Sequence, residues 1–234
     1  MLEIESVHRR YGSEIALEDV STTLRRGELT VLIGRSGAGK TTLLRCLDGL
    51  DSPDSGVIRL DGQRLETTDA ALVFQSGALV SGKSVLENVL DGALGREPPW
   101  RELFGWHSPD EKRAAIGRLH AVGLGGYATR SVEQLSGGEQ QRVGIARSLQ
   151  QEPEVLLADE PVASLDPETA GSVLAVLARV VREHNLIGLV SLHQPRLAAD
   201  IADHYLGLAS GRLVLDSPAS DLKETTLSEV YADG

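Results

Sequence analysis

LTVLIGRSGAGKTTLLRCLDGL, residues 29–50, decides the fold. LTVLIG is a short apolar run closed by a glycine, the pattern of a strand buried on both faces. TTLLRCLDGL places its apolar residues at helical spacing. Between them lies GRSGAGKT, residues 34–41: Gly, four residues, then Gly-Lys-Thr. That is the spacing of a phosphate-binding loop, in the strand–loop–helix setting such a loop requires. Glycines let backbone N–H groups converge on phosphate oxygens, and the helix N-terminus adds its positive dipole end. Lys40 then offers a cation to the β and γ phosphates, and Thr41 a hydroxyl to Mg²⁺.

Working outward, LEIESVHRRYG and EIALEDVSTTLRRGE read as strands, as do GVIRLDG and ALVFQ, the last running to Gln75. SVLENVLDGAL and SPDEKRAAIGRLHAVGL have helical texture, with the proline-paired GREPPWRELFGW as a loop between them. EVLLADEP is a buried strand, PETAGSVLAVLARVVREHN a helix with Pro167 in its first turn, and LIGLVSLHQ a strand ending in His193. RLAADIADHY reads as a short helix and LGLASGRLVLDS as a hairpin around Ser-Gly. Strand and helix alternating around a glycine loop imply an α/β fold with a mainly parallel sheet. The expected organisation is one domain, 1–234: a core from residues 1–76 and 154–234, and a mostly helical insertion over 77–153.

Composition narrows the function. The 234 residues are 41% apolar, enough for a large core, and only 3% aromatic, too few for stacking platforms along single-stranded nucleic acid. A net charge of −11 argues against nucleic acid as a partner. Acidity is concentrated late: residues 151–234 hold 14 acids and 5 bases, against 20 and 18 in residues 1–150. Cys46 is the one cysteine, in a helical pattern, and reads as a small buried hydrophobe in a reducing compartment. No apolar signal core opens the chain and no run reaches the ~20 residues that span a bilayer. A soluble chain is expected, whose membrane role would need partners.

Further chemistry sits at strand ends. VLLADE, residues 155–160, carries two acids at the carboxyl end of an apolar strand, where α/β sheets place ligands. Asp159 can hold a metal through its water shell, and Glu160 can polarise an attacking water as general base. Gln75 and His193 end neighbouring strands. Tyr11, just before Gly12, can stack on adenine or pack as a strand-end ring. In LSGGEQQRVGIARSLQ, residues 135–150, Ser136, Gly137 and Gly138 open a helix, a second anion-binding terminus or an ordinary cap.

Taken in order, GRSGAGKT, Gln75, LSGGEQ, VLLADE, SLD (164–166) and His193 resemble the motifs of the ATP-binding cassette (ABC) family of transport ATPases over essentially the whole chain. The resemblance implies a RecA-like P-loop core, an N-terminal antiparallel β subdomain and an inserted helical subdomain. It implies ATP contacts from Tyr11, Ala16, Gly34, Ser36, Gly37, Ala38, Gly39, Lys40, Thr41, Thr42, Ser136, Gly137, Gly138 and Asp166. It implies Mg²⁺ at Thr41, Gln75 and Asp159, and catalysis by Glu160, His193 and Gln75. In that family two cassettes pack head to tail, the signature of one completing the ATP site of the other. The glycine pair of LSGGEQ, with no evident use inside its own chain, is thereby predicted to meet the γ-phosphate held by a second copy.

Membrane permease subunits dock on the helical insertion in that family, with ALVSGKSVLENVL as the surface here; Trp100, Phe104 and Trp106 lie in the same insertion. FQSGALVSGKSVLENVLDGALGR, WRELFGWHSPDEKRAA, LADEPVASLDPE and SLHQ are similar to the phosphonate-import ATPases within the family, although Glu139 stands where those more often have glutamine. The implied function is ATP-driven import of phosphonate or a related oxyanion such as phosphite. A periplasmic or extracellular binding protein would act indirectly, and the chain would sit on the cytoplasmic face of the membrane. The rival is a cassette that drives a non-transport membrane complex, as cell-division scaffolds do.

Overall fold

Strand β3 (Leu29–Ile33) is buried at all five residues. Leu29, Val31 and Ile33 join one apolar cluster and Leu32 joins another, so alternate side chains feed opposite faces of the sheet. The computed structural model that places them describes residues 1–74, 78–94, 107–222 and 230.

Around β3 lies a six-stranded sheet. Its members are β6 (Ala70–Val73), β7 (Val155–Asp159), β8 (Ile187–Ser191), β9 (His204–Ala209) and β10 (Arg212–Pro218), in the order β10-β9-β3-β8-β7-β6. All neighbours are parallel except β9 and β10, which form the expected hairpin. A separate antiparallel sheet holds β1 (Leu2–Tyr11), β2 (Glu14–Leu24), β4 (Ser55–Leu60) and the two-residue β5 (Gln63–Arg64), in the order β2-β1-β4-β5. Helix α1 (Lys40–Asp48) fills the space between the sheets: Leu43, Leu44 and Leu47 share a cluster with Leu2, Leu17, Leu32 and Leu157.

The opposite face is covered by helices. Helix α5 (Pro167–Glu183) has Asp166 as N-cap and Pro167 in its first turn, and buries Val173, Leu174, Leu177 and Val181 along one stripe. Helices α2 (Val85–Leu90), α3 (Pro109–Ala121) and α4 (Gly137–Gln150) pack on each other. Val89, Leu119, Val143 and Leu149 run from them into the cluster that holds Leu156, Val190 and Leu174. Val230, 2% exposed, reaches back to this cluster. No helix among the described residues is long and apolar enough to cross a membrane. Cys46 is buried, and burial first, then Asp51, pushes its thiol up to about 11, as suits an inert packing residue.

One expected element is different. Residues 196–205 were expected as a short helix, but only a 3-10 turn forms, Pro195–Ala198, and His204 and Tyr205 already belong to β9. Pairing with β3 overrides the local pattern. Asp203 accepts hydrogen bonds from the Leu29 N–H (2.8 Å) and Arg182 (3.0 Å), while its own N–H donates to Leu29 O (3.0 Å). Strand β6 stops at Val73, and Gln75, Trp100, Phe104 and Trp106 lie outside the described residues.

Candidate functional site

The loop after β3 is shaped by backbone contacts only glycine permits. At Gly34 (φ +152°) a Cβ would stand 2.4 Å from Leu208 O, and at Gly39 (φ +104°) 2.4 Å from Ala16 O. Strand β9 and strand β2 therefore clamp the loop from two sides. Gly39 is also the N-cap of α1 and offers no capping side chain, so the first N–H groups of that helix stay available to an anion. Lys40 is 4% exposed, and its Nζ donates to Gly34 O (2.8 Å) and Arg35 O (3.1 Å). Burial lowers its pKa, against Glu160 and Asp159, which raise it.

Tyr11, Ala16, residues 36–42 and Glu160 line one cavity of about 260 Å³. The structure thus gathers Tyr11, Ala16, Ser36, Gly37, Ala38, Gly39, Lys40, Thr41, Thr42 and Glu160 from three separate parts of the chain. Glu160 lines a second cavity too, with Val162, Leu165, His193 and Leu197.

The acids are held by a residue that the sequence reading passed over. Ser191, fully buried at the end of β8, pairs in register with Asp159 at the end of β7. Its hydroxyl donates to Asp159 Oδ1 (2.7 Å) and accepts from the Glu160 N–H (2.9 Å). Glu160 has φ +48°, a left-handed backbone that costs a β-carbon residue free energy and marks a constrained site. His193 does not end the strand; it lies two residues beyond β8, and its Nε2 is 2.5 Å from Glu160 Oε1. The signal for Ser191 was a lone hydroxyl closing an otherwise apolar strand, legible only once β7 and β8 are known to be neighbours.

Thr41 and Asp159 are hard oxygen donors. Asp159 keeps one carboxylate oxygen clear of its bond to Ser191. No group of three or more His, Cys, Asp or Glu able to cage a metal occurs among the described residues. This donor set fits Mg²⁺, which takes one or two protein ligands and completes its shell with water and substrate phosphates.

The second glycine pair lies elsewhere: none of Ser136, Gly137 and Gly138 lines the cavity around Lys40. Ser136 is the N-cap of α4 in a capping box. Its N–H and Oγ donate to Glu139 Oε2 (2.8 and 2.9 Å), and its Oγ accepts from the Glu139 N–H (3.3 Å). These bonds, from the Ser136 backbone first, hold the Glu139 carboxyl below its ordinary range. The glycines do have a use in their own chain, contrary to expectation. A Cβ on Gly138 would stand 2.4 Å from Thr169 Cγ2, and one on Gly137 3.0 Å from Leu165 Cδ2. They let α4 approach the start of α5. Asp166 caps that helix, accepting from the Thr169 N–H (3.0 Å). Farther along α4, Gln141 Nε2 donates to Phe74 O (3.0 Å) and Arg147 Nη1 to Ala78 O (2.7 Å), one on each side of Gln75.

A strand–glycine loop–helix unit in a parallel sheet, with paired acids two strands away, defines a P-loop ATPase of the cassette type. The chain matches the ABC transporter family over residues 17–163 and belongs to that family. It is 69% identical over 233 residues to "Phosphonates import ATP-binding protein PhnC 1" of Natronomonas pharaonis, with 100% of both chains covered. It is 40% identical over 234 residues to the phosphonates import ATP-binding protein of Halobacterium salinarum, covering 99% of this chain and 84% of the other. Among solved structures, the dimeric post-hydrolysis state of an ATP-binding cassette bound to ADP and Pi is 28% identical, with a TM-score of 0.76 over 94% of this chain and 99% of that one.

Proposed function

We propose that this chain is the ATP-hydrolysing subunit of an ABC importer that energises uptake of phosphonate or a related phosphorus oxyanion such as phosphite. The observation that carries the catalytic half is the setting of Glu160: it lines the same cavity as Lys40 and faces His193 at 2.5 Å. The cargo class rests on full-length identity of 69% to a phosphonates import ATP-binding protein.

In this reading the N–H groups of residues 37–41 and the Lys40 ammonium bind the β and γ phosphates, and Tyr11 stacks on adenine. Thr41, Asp159 and Gln75 would hold Mg²⁺, which would neutralise phosphate charge. Glu160 accepts the proton of the attacking water, and His193 holds the Glu160 carboxylate and the γ-phosphate in line. Ser136, Gly137, Gly138 and Asp166 act on the nucleotide of a second copy packed head to tail. A solved cassette that is dimeric and bound to ADP and Pi supports the pairing of two copies. Closure and release of the pair drive permease subunits docked on the helical lobe, residues 77–153, while residues 1–76 and 154–234 hold the nucleotide. The chain works at the cytoplasmic face of the membrane, and a periplasmic or extracellular binding protein delivers the cargo. Nucleic acid has no part in it.

The test is ATP hydrolysis by the chain assembled with its permease and binding protein, across phosphonate, phosphite and phosphate. Stimulation by phosphonate or phosphite is expected. Turnover indifferent to all three would reject the cargo and favour a non-transport complex.

A further inference from the structure

The ring of Tyr11 is held from behind. Arg9, two residues earlier on β1, places its guanidinium carbon 4.8 Å from the ring centroid. The Tyr11 hydroxyl donates to Asp51 Oδ2, and Arg9 Nη2 lies 2.5 Å from Asp51 Oδ1, so one carboxylate ties both residues. Arg9 is also paired with Asp54 (3.0 Å), and Asp54 Oδ2 accepts from the Arg10 N–H (2.7 Å). The Asp51 and Arg9 side chains are only 16% and 22% exposed, whereas Tyr11 is 43% exposed and lines the cavity of the phosphate loop. The Tyr11 hydroxyl first, then the Ser52 N–H and Arg9, hold Asp51 below the ordinary carboxylate range, so it is charged at neutral pH.

This differs from ordinary surface pairing, which leaves side chains free to turn. Here three groups close a ring of contacts. The phenol is fixed at its far end and one face is covered by a cation, which leaves the other face for a base. Asp51 lies three residues beyond the end of helix α1, tied back to it by its N–H donating to Arg45 O (3.1 Å), and α1 begins at Lys40. Helix α1 and the short turn hydrogen-bonded to its last turn therefore connect the lysine of the phosphate loop to the anchor of the aromatic ring.

We propose that Arg9 and Asp51 are positioning residues for the nucleotide base: they fix the Tyr11 ring at a set distance from the phosphate loop, so that base and triphosphate engage together. The proposal rests on the reading of Tyr11 as the adenine platform. Its physical content is preorganisation: a ring already immobilised loses no rotamer freedom when the base arrives. Because the hydroxyl is committed to Asp51, Tyr11 contributes stacking and leaves the hydrogen-bonding edge of the base unread by its phenol.

The test is calorimetric binding of ATP and of inorganic triphosphate, which has no base, to the full chain and to Tyr11→Ala, Tyr11→Phe, Asp51→Ala and Tyr11→Ala/Asp51→Ala. Tyr11→Ala is expected to weaken ATP by roughly ten-fold, the weight of a lost base stack. Asp51→Ala and Tyr11→Phe are each expected to weaken it by roughly three- to ten-fold, the weight of one side chain released from its fixed rotamer. Inorganic triphosphate should bind all of them equally, and Asp51→Ala should add nothing in the Tyr11→Ala background. If Tyr11→Ala weakens ATP while Asp51→Ala does not, the platform stands and the positioning role falls. If Asp51→Ala weakens triphosphate as much as ATP, Asp51 merely supports the loop and the proposal is overturned. If Tyr11→Ala leaves ATP binding unchanged, the platform reading itself fails.

Discussion

Ser191 Oγ lies 2.7 Å from Asp159 Oδ1, a buried hydroxyl donating across the β7–β8 pair to the acid assigned to the metal. The same oxygen accepts from the Glu160 N–H at 2.9 Å. One hydroxyl thus fixes one acid by its side chain and the next by its backbone. Ser191→Ala removes both bonds and leaves the Glu160 N–H without a partner, at a cost of about 1–3 kcal/mol of stability. Its larger effect should fall on turnover, since misplacing the base relative to the γ-phosphate is expected to lower kcat by roughly 10- to 100-fold. Steady-state kinetics would show this as a fall in kcat with KM for ATP little changed. A thermal unfolding midpoint that falls to the assay temperature would instead point to a folding defect.

Glu160 and His193 meet at 2.5 Å. Glu160→Gln keeps the size of the side chain and removes its basicity. ATP affinity should stay close to that of the parent chain, and turnover should fall by roughly 10²-fold or more. Single-turnover hydrolysis in the assembled complex would show this directly. Normal hydrolysis by Glu160→Gln would remove Glu160 from the role of base.

Asp48, the last residue of α1, is raised by burial from 3.8 to about 6. A carboxyl with a raised folded pKa favours the protonated folded state. Its contribution to stability is therefore greatest below the unfolded value of 3.8, shrinks as pH climbs to about 6, and stays lost at neutral pH. Asp48→Asn relieves that cost, by about 1 kcal/mol at pH 7.5 once solvent screening is allowed for. Thermal unfolding should place Asp48→Asn a few degrees above the parent at pH 7.5, with the gap narrowing at pH 5. An equal gap at both pH values would mean that the gain does not come from ionisation.

The phosphate loop was legible because three independent signals coincide within residues 29–50: an apolar run, fixed glycines and a helical repeat. The acid pair was legible for a similar reason, as charge ending an apolar strand. What escaped depends on residues brought together by the fold. Ser191 matters only because β8 lies beside β7. Arg9 and Asp51 meet only because the loop after α1 folds onto β1. Gly138 answers to Thr169, distant in sequence, whose Cγ2 a Cβ there would meet at 2.4 Å. The stretch 196–205 misled because its local periodicity is helical while Asp203 anchors it to β3.

Ser136 does not line the cavity that holds Lys40, and its proposed use in catalysis is assigned to the nucleotide of a second chain. The most direct measurement is sedimentation of the Glu160→Gln chain with ATP, with and without Ser136→Arg, recording nucleotide and protein together. The expected result is an ATP-bound dimer for Glu160→Gln alone, and an ATP-bound monomer of equal nucleotide content once Ser136→Arg is added. Loss of ATP from the monomer would place Ser136 in the site of its own chain, and a dimer indifferent to Ser136→Arg would remove it from the interface; either would contradict the head-to-tail account.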